Sequence, residues 1–217
     1  MDARDGLPFM KRVCLINMYK ILQGDVVDRL KTLPSASVQC VVTSPPYFNL
    51  RDYNVVGQIG MEPSPKLYVE KLVEVFTEVW RVLRDDGTVW LNIGDSYSGS
   101  GKGPAGKLGK KHNAQEMPKA NSGIVPEGLK PKELIGIPWR VAFALQDAGW
   151  YLRSDVIWSK PNPMPESCKD RPTRAHEYVF LLTKKRHYFY DTDAIRELLQ
   201  PISVRRVKTG WKCDRLN

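Results

Sequence analysis

Two consecutive prolines, Pro45 and Pro46, stand directly behind Val38–Thr43, a run whose β-branched and apolar composition marks a buried strand. Proline has no N–H to donate and a fixed φ, so the ladder must stop at Thr43 and the chain must turn. On either side, short apolar runs alternate with helical patterns. Val13–Asn17 reads as a first strand, and Asp25 can cap a helix over about 26–33, ended by Pro34 and Ser35. Ser64 and Pro65 open a helix whose Leu72, Phe76, Val79 and Leu83 follow the helical period, closing near Asp86-Gly87. Thr88–Ile93 is the next strand. A helix over about 132–148, bent or restarted at Pro138 and stopped by Gly149, precedes strands Leu152–Ser159 and Glu177–Thr183. Strands alternating with helices predict an α/β fold with a parallel sheet, the last two strands antiparallel because no helical pattern separates them.

A chain of 217 residues suits one domain, and hydrophobic content of 42% with 26% charged residues excludes wholesale disorder. The four cysteines, Cys14, Cys40, Cys168 and Cys213, lie far apart with no Cys-x-x-Cys pair, which argues against a zinc module or disulfide scaffold. No apolar run approaches bilayer length, so the chain reads as cytoplasmic with no membrane partner. The formal net charge is +9, from 33 Lys and Arg against 24 Asp and Glu. Much of it is concentrated: residues 99–132 hold seven lysines against Glu116 and Glu127, and residues 184–217 hold nine basic residues against four acids. Two basic segments on a near-neutral body are the footprint of phosphate-backbone binding, so nucleic acid is the expected partner; solvated flexible segments are the plain alternative.

Ligands of open α/β sheets bind beyond the carboxyl ends of the strands, where Val38–Thr43 delivers Ser44-Pro45-Pro46-Tyr47. Lacking two N–H groups, this turn offers carbonyl oxygens and the Ser44 hydroxyl, with an aromatic face beside them. Such a slot suits a planar ring bearing an amino group, as a nucleobase does.

Thr43-Ser44-Pro45-Pro46-Tyr47 resembles the (Asp/Asn/Ser)-Pro-Pro-(Tyr/Phe/Trp) signature of the amino-methylating DNA methyltransferases, in the permuted class that carries it in the N-terminal part. The resemblance extends through Trp80–Gly87, Trp90–Tyr97 and Gly149–Pro161 with Asp155, Trp158 and Lys160, and covers about residues 13–197. It implies a Rossmann-like, three-layer S-adenosylmethionine-dependent methyltransferase fold, with S-adenosylmethionine as cofactor and DNA as partner. Ser44, Pro45, Pro46 and Tyr47 are then the catalytic residues, methylating N4 of cytosine or N6 of adenine, with Ser at position 44 leaning toward cytosine. None of the cysteines follows a proline, so the Pro-Cys nucleophile of ring-carbon cytosine methylases is absent. Asp25 and Asp95 are candidates to bind the cofactor, with helix capping and turn formation as alternatives. Lys107, Lys110 and Lys111 are expected on DNA phosphates, and Arg171 and Arg174 on DNA or in solvent.

The family's Phe-x-Gly-x-Gly cofactor loop is not found after residue 183. The expected fold is therefore incomplete: a flexible arm over 1–12, a partial catalytic domain over 13–197 with a basic loop at 99–131, and a basic tail over 198–217. The chain is then truncated, complemented by a second chain that supplies the missing cofactor-binding half, or a catalytically inactive DNA-binding relative. Gly101-Lys102-Gly103-Pro104-Ala105-Gly106 formally fits a phosphate loop, but no helix pattern follows it and Leu108 stands where a hydroxyl is required. His176 with Glu177 reads as edge-of-strand structure, since no second metal-ligand pair lies at coordinating spacing. The tryptophans at 80, 90, 139, 150 and 158 are expected in the core.

Overall fold

A computed structural model describes residues 19–99 and 125–196. The expected strand at Val13–Asn17, Lys107, Lys110 and Lys111, the phosphate-loop-like stretch and the C-terminal basic tail lie outside the described residues. The elements run α1 (Val26–Lys31), β1 (Val38–Thr43), α2 (Pro65–Val82), β2 (Leu83–Ile93), α3 (Ile137–Asp147), β3 (Tyr151–Ser159) and β4 (His176–Thr183). One sheet of order β1-β2-β4-β3 results, with β1 parallel to β2 and β4 antiparallel to both β2 and β3. The sheet is mixed: the antiparallel pairing of the last two strands is as expected, whereas β1–β2 is the one parallel pairing among the described strands, because β4 inserts antiparallel between β2 and β3.

Paired residues share a face of a sheet, so the register sorts the side chains. Val41, Val89, Leu91, Ile93, Phe180 and Leu182 point to one face and form the core with Phe76 and Val79 of α2 and Val141 and Leu145 of α3. Phe180, Leu91, Ile93 and Leu182 are fully inaccessible. Burial of each such side chain stabilises the fold by roughly 1.5–3 kcal/mol. All three helices contribute to this cluster. Among the described residues the architecture is thus two of the three expected layers, a sheet and one helical layer.

Two helix boundaries differ from the sequence expectation. The second helix stops at Val82 rather than near Gly87, because Leu83 turns extended (φ −70°, ψ 140°) and pairs with Val38. Lys184 Nζ holds the Leu83 carbonyl at 2.9 Å, and a Cβ on Gly87 would stand 2.8 Å from the Gln39 carbonyl, so the strand passes its neighbour only as glycine. The third helix starts at Ile137 rather than at 132. Residues 132–135 bond instead to the chain beyond β2, through Ser98 N–H to Glu133 O (2.8 Å), Lys132 N–H to Ser98 O (2.8 Å) and Ile135 N–H to Ser96 O (3.0 Å). Gly136, at φ 76°, supplies the left-handed step into the helix.

Candidate active site

The double proline acts as expected: β1 ends at Thr43 and the turn Ser44–Tyr47 lies at its carboxyl end, beside the carboxyl end of β2. Of the two proline carbonyls, that of Pro46 is already used. The hydroxyl of Tyr68, a fully buried residue of α2, donates to it at 2.8 Å. Pro46 is therefore an anchor of the turn to the helix layer, while among the described residues no hydrogen bond is made to the Pro45 carbonyl.

Tyr47 is half-buried, and its ring lies against Gly94, where an added Cβ would come within 2.4 Å of Tyr47 Cε2. Only glycine at the end of β2 leaves that space. The phenol oxygen is 2.8 Å from Asn92 Oδ1 and 2.8 Å from Glu177 Oε2, so its single hydrogen faces two acceptors. Burial, helped by the neighbouring Glu177 anion and opposed by the Ser44 hydroxyl, pushes the Tyr47 phenol up to about 12. Arg174 is close enough for its charge to oppose that rise.

The Ser44 hydroxyl donates to Asn92 Oδ1 at 3.2 Å, and the Asn92 amide is turned that way round because its Nδ2 donates to the Tyr178 carbonyl at 3.3 Å. Lys160, immediately after β3, pairs with Glu177 at the start of β4. Burial raises the Glu177 carboxyl and is outweighed by the hydrogen bonds from Lys160 and Tyr47, so it lies below the usual carboxylate value and stays ionised at neutral pH. The result is one polar network, Ser44–Asn92–Tyr47–Glu177–Lys160, joining the ends of all four strands.

Three of these members carry no site signature of their own in the sequence. Asn92 and Lys160 enter only through the family resemblance, and Glu177 reads as edge structure. The available signal is a polar residue inside an apolar strand: Asn92 between Leu91 and Ile93, and Glu177 ahead of Tyr178–Thr183. The other candidates are dispersed. Asp95 receives Ser96 N–H and Ile137 N–H on Oδ1 (both 2.9 Å) and Gly136 N–H on Oδ2 (3.1 Å), so both oxygens cap α3. Asp25 caps α1 through Oδ1 alone, accepting from Val27 and Asp28 N–H. Arg171 lies over the Tyr97 ring at 3.8 Å and pairs with Glu166, inside its own loop. Trp158, expected in the core, is 61% exposed at the β3 edge. An open groove of about 590 Å³, lined by residues such as Asp52, Gln58, Glu62 and Lys71, contains no member of the polar network. Among the described residues no cluster of His, Cys, Asp or Glu could hold a metal ion, and no helix is long and apolar enough to cross a membrane.

This fold is found in solved DNA methyltransferases. The PvuII DNA methyltransferase, described as cytosine-N4-specific, superposes with a TM-score of 0.53 at 18% identity, over 87% of this chain and 62% of that one. A Thermus thermophilus protein described as a DNA modification methylase, solved with S-adenosyl-L-methionine, gives 0.50 at 20% identity, over 79% and 55%. In sequence, a family model for DNA methylases of the N6/N4 class matches residues 38–215, and the chain belongs to that family. It is 53% identical to the type II methyltransferase M.Cfr9I of Citrobacter freundii over 199 residues, 92% of this chain and 65% of the relative. It is also 53% identical to M.SmaI of Serratia marcescens over 178 residues, 82% of this chain and 60% of the relative. The chain therefore spans 60–65% of the length of these curated relatives.

Proposed function

We propose that this chain carries the base-binding part of a DNA methyltransferase that transfers a methyl group from S-adenosylmethionine to the exocyclic amine of cytosine (N4) or adenine (N6). The observation that carries the reading is what the turn brings together at the strand end: the exposed Ser44 hydroxyl, within hydrogen-bonding distance of Asn92 Oδ1 (3.2 Å) and of the Tyr47 hydroxyl (3.5 Å), stands next to the Pro45 carbonyl and the half-buried Tyr47 ring. An exocyclic amine is a poor nucleophile because its lone pair is conjugated into the ring. With one N–H bonded to Ser44 Oγ and the other to the Pro45 carbonyl, the nitrogen is held pyramidal and its lone pair is directed out of the ring plane. A base must leave the duplex to reach this turn, at a cost of a few kcal/mol, and stacking on Tyr47 offsets about 1–3 kcal/mol of it. Arg174, whose charge reaches Tyr47, is our candidate for the phosphate of the extruded nucleotide.

S-adenosylmethionine, when bound, supplies the electrophilic methyl group. Of the two aspartates proposed for it, Asp25 keeps Oδ2 without a donor among the described residues, whereas both oxygens of Asp95 are occupied by the cap of α3. Asp25 is the freer of the two; Asp95, although it caps α3, keeps acceptor lone pairs and remains a candidate beside it. The names of the relatives, type II methyltransferases, and the cofactor in the Thermus thermophilus structure support the reading.

The test is incubation with radiolabelled S-adenosylmethionine and DNA, followed by nucleoside chromatography. Label in N4-methylcytosine or N6-methyladenine is expected, and is lost in Ser44→Ala. Label in 5-methylcytosine, or retention of DNA with no transfer at all, overturns the proposal, the second result in favour of an inactive DNA-binding relative.

A further inference from the structure

We propose that Glu177, secured by Lys160, is a positioning residue that fixes the orientation of the Tyr47 ring through its hydroxyl; the consequence for methyl transfer rests on the function proposed above. A tyrosine ring hangs on two rotatable bonds. Contact with Gly94 restrains one side of the Tyr47 ring, but contact alone leaves the ring free to slide or rock. The phenol oxygen, 2.8 Å from Glu177 Oε2 and 2.8 Å from Asn92 Oδ1, is the second fixed point. The two acceptors stand on different strands, Asn92 on β2 and Glu177 on β4, so the oxygen is located by the sheet itself.

The carboxylate is fixed in turn. Its side chain is 19% exposed, and Lys160 closes on Oε1, the oxygen that Tyr47 does not use. Lys160 is itself held by its backbone N–H, which donates to the Ala175 carbonyl at 2.8 Å at the neck of the β3–β4 connection. If the Tyr47 ring left this position, an ionised carboxylate with little solvent exposure would lose a charge-assisted hydrogen bond. This arrangement accounts for an ion pair at the carboxyl edge of the sheet that none of the proposed contacts to base or cofactor requires. A base stacked on Tyr47 then inherits the ring's plane, and a transfer that depends on alignment to within about an ångström is sensitive to it.

The experiment compares Glu177→Gln, Glu177→Ala, Tyr47→Phe and the double variant Tyr47→Phe/Glu177→Ala in the full-length protein. Methyl-transfer kinetics are read together with the flipping rate of the Tyr47 ring, followed by NMR of ¹³C-ring-labelled tyrosine with Tyr47→Phe as the assignment control. Glu177→Ala and Tyr47→Phe should each lower kcat by about 10- to 100-fold with the KM for S-adenosylmethionine unchanged. The double variant should be no worse than either single one, because both remove the same contact. Glu177→Gln, which keeps an acceptor at the same place, should recover most of kcat. In the NMR arm, ring flipping should accelerate in Glu177→Ala. Losses that multiply in the double variant, or an unchanged ring rate in Glu177→Ala, overturn the inference. Should the wild-type protein transfer no methyl group while Glu177→Ala still frees the ring, the methyl-transfer reading falls and the positioning of Tyr47 stands. Active wild-type protein with unaltered Glu177→Ala kinetics and ring motion leaves methyl transfer standing and removes the positioning role.

Discussion

The two faces of the sheet are built from similar residues and lie in different surroundings. On the helix-covered face, Val89, Leu91, Ile93, Phe180 and Leu182 are inaccessible to solvent. On the other, the register aligns Cys40 and Val42 of β1 with Thr88 and Trp90 of β2, Leu181 and Val179 of β4, and Val156 and Trp158 of β3. Val42 is 79% exposed and Trp158 61% exposed, and among the described residues no helix lies over them. The polar network belongs to that second face, since Asn92 pairs with Val179 and Glu177 with Trp158. One face therefore holds the fold together, while the other presents apolar surface and, at its carboxyl end, the site. Apolar composition alone does not say which face supplies stability; only the presence of packing partners does.

The largest effect that should separate the faces is Phe180→Ala, which empties a fully buried position and should cost about 3–5 kcal/mol in urea unfolding. A smaller and more discriminating contrast uses one substitution twice. Val89→Ala on the covered face should cost about 2 kcal/mol. Val42→Ala on the bare face should stay within about 0.5 kcal/mol, and an equal loss at both positions would show that the second face is covered in solution. Between these, Asp95→Ala removes the cap of α3 and should cost about 1 kcal/mol, with α3 the first element to lose amide-exchange protection.

The smallest effects are those of pH on the network. The Glu177 carboxyl is lowered from 4.5 in the fold, so its contribution to stability is present above the unfolded value and disappears as pH falls through the folded one. The stability gap between wild type and Glu177→Gln should therefore be full at neutral pH and close in acid. Tyr47 has the opposite sign. Its phenol is raised from 10.0 to about 12, so its contribution is complete below 10.0 and is lost as pH climbs toward 12. Tyr47→Phe should accordingly lessen the alkaline sensitivity of unfolding, measured by denaturant titration at a series of pH values.

Much of the fold was legible because local rules and tertiary packing agreed. The Val38–Thr43 strand with its proline stop, the Ser64-Pro65 helix start, the stop at Gly149 and the antiparallel final pair all follow from period, capping and the missing proline N–H. Expectation and structure part where a distant partner overrides a local pattern. The helical stripe of α2 includes Leu83, yet Leu83 goes to the sheet because Val38 and Lys184 offer its backbone bonds there. Residues 132–135 look like a first helical turn, yet Lys132, Glu133 and Ile135 bond through their backbone to Ser96 and Ser98. Asp95 is separated from Gly136 and Ile137 by 41 and 42 positions, so no local reading could identify it as their cap.

The residue order alone determined that a strand must end at Thr43 and present Ser44, Pro45 and Tyr47 at a sheet edge, because a missing donor and a locked φ act within a few residues. The family signature lies in that same stretch, and the match to the family runs on over residues 38–215. Which carbonyl of the turn is tied to the helix layer and what surrounds the Ser44 and Tyr47 hydroxyls were decided only in three dimensions, by Tyr68, Asn92, Glu177 and Lys160. Hydrogen bonds form between groups brought within about 3 Å of one another, and for this site the sheet register, not the spacing along the chain, brings them there.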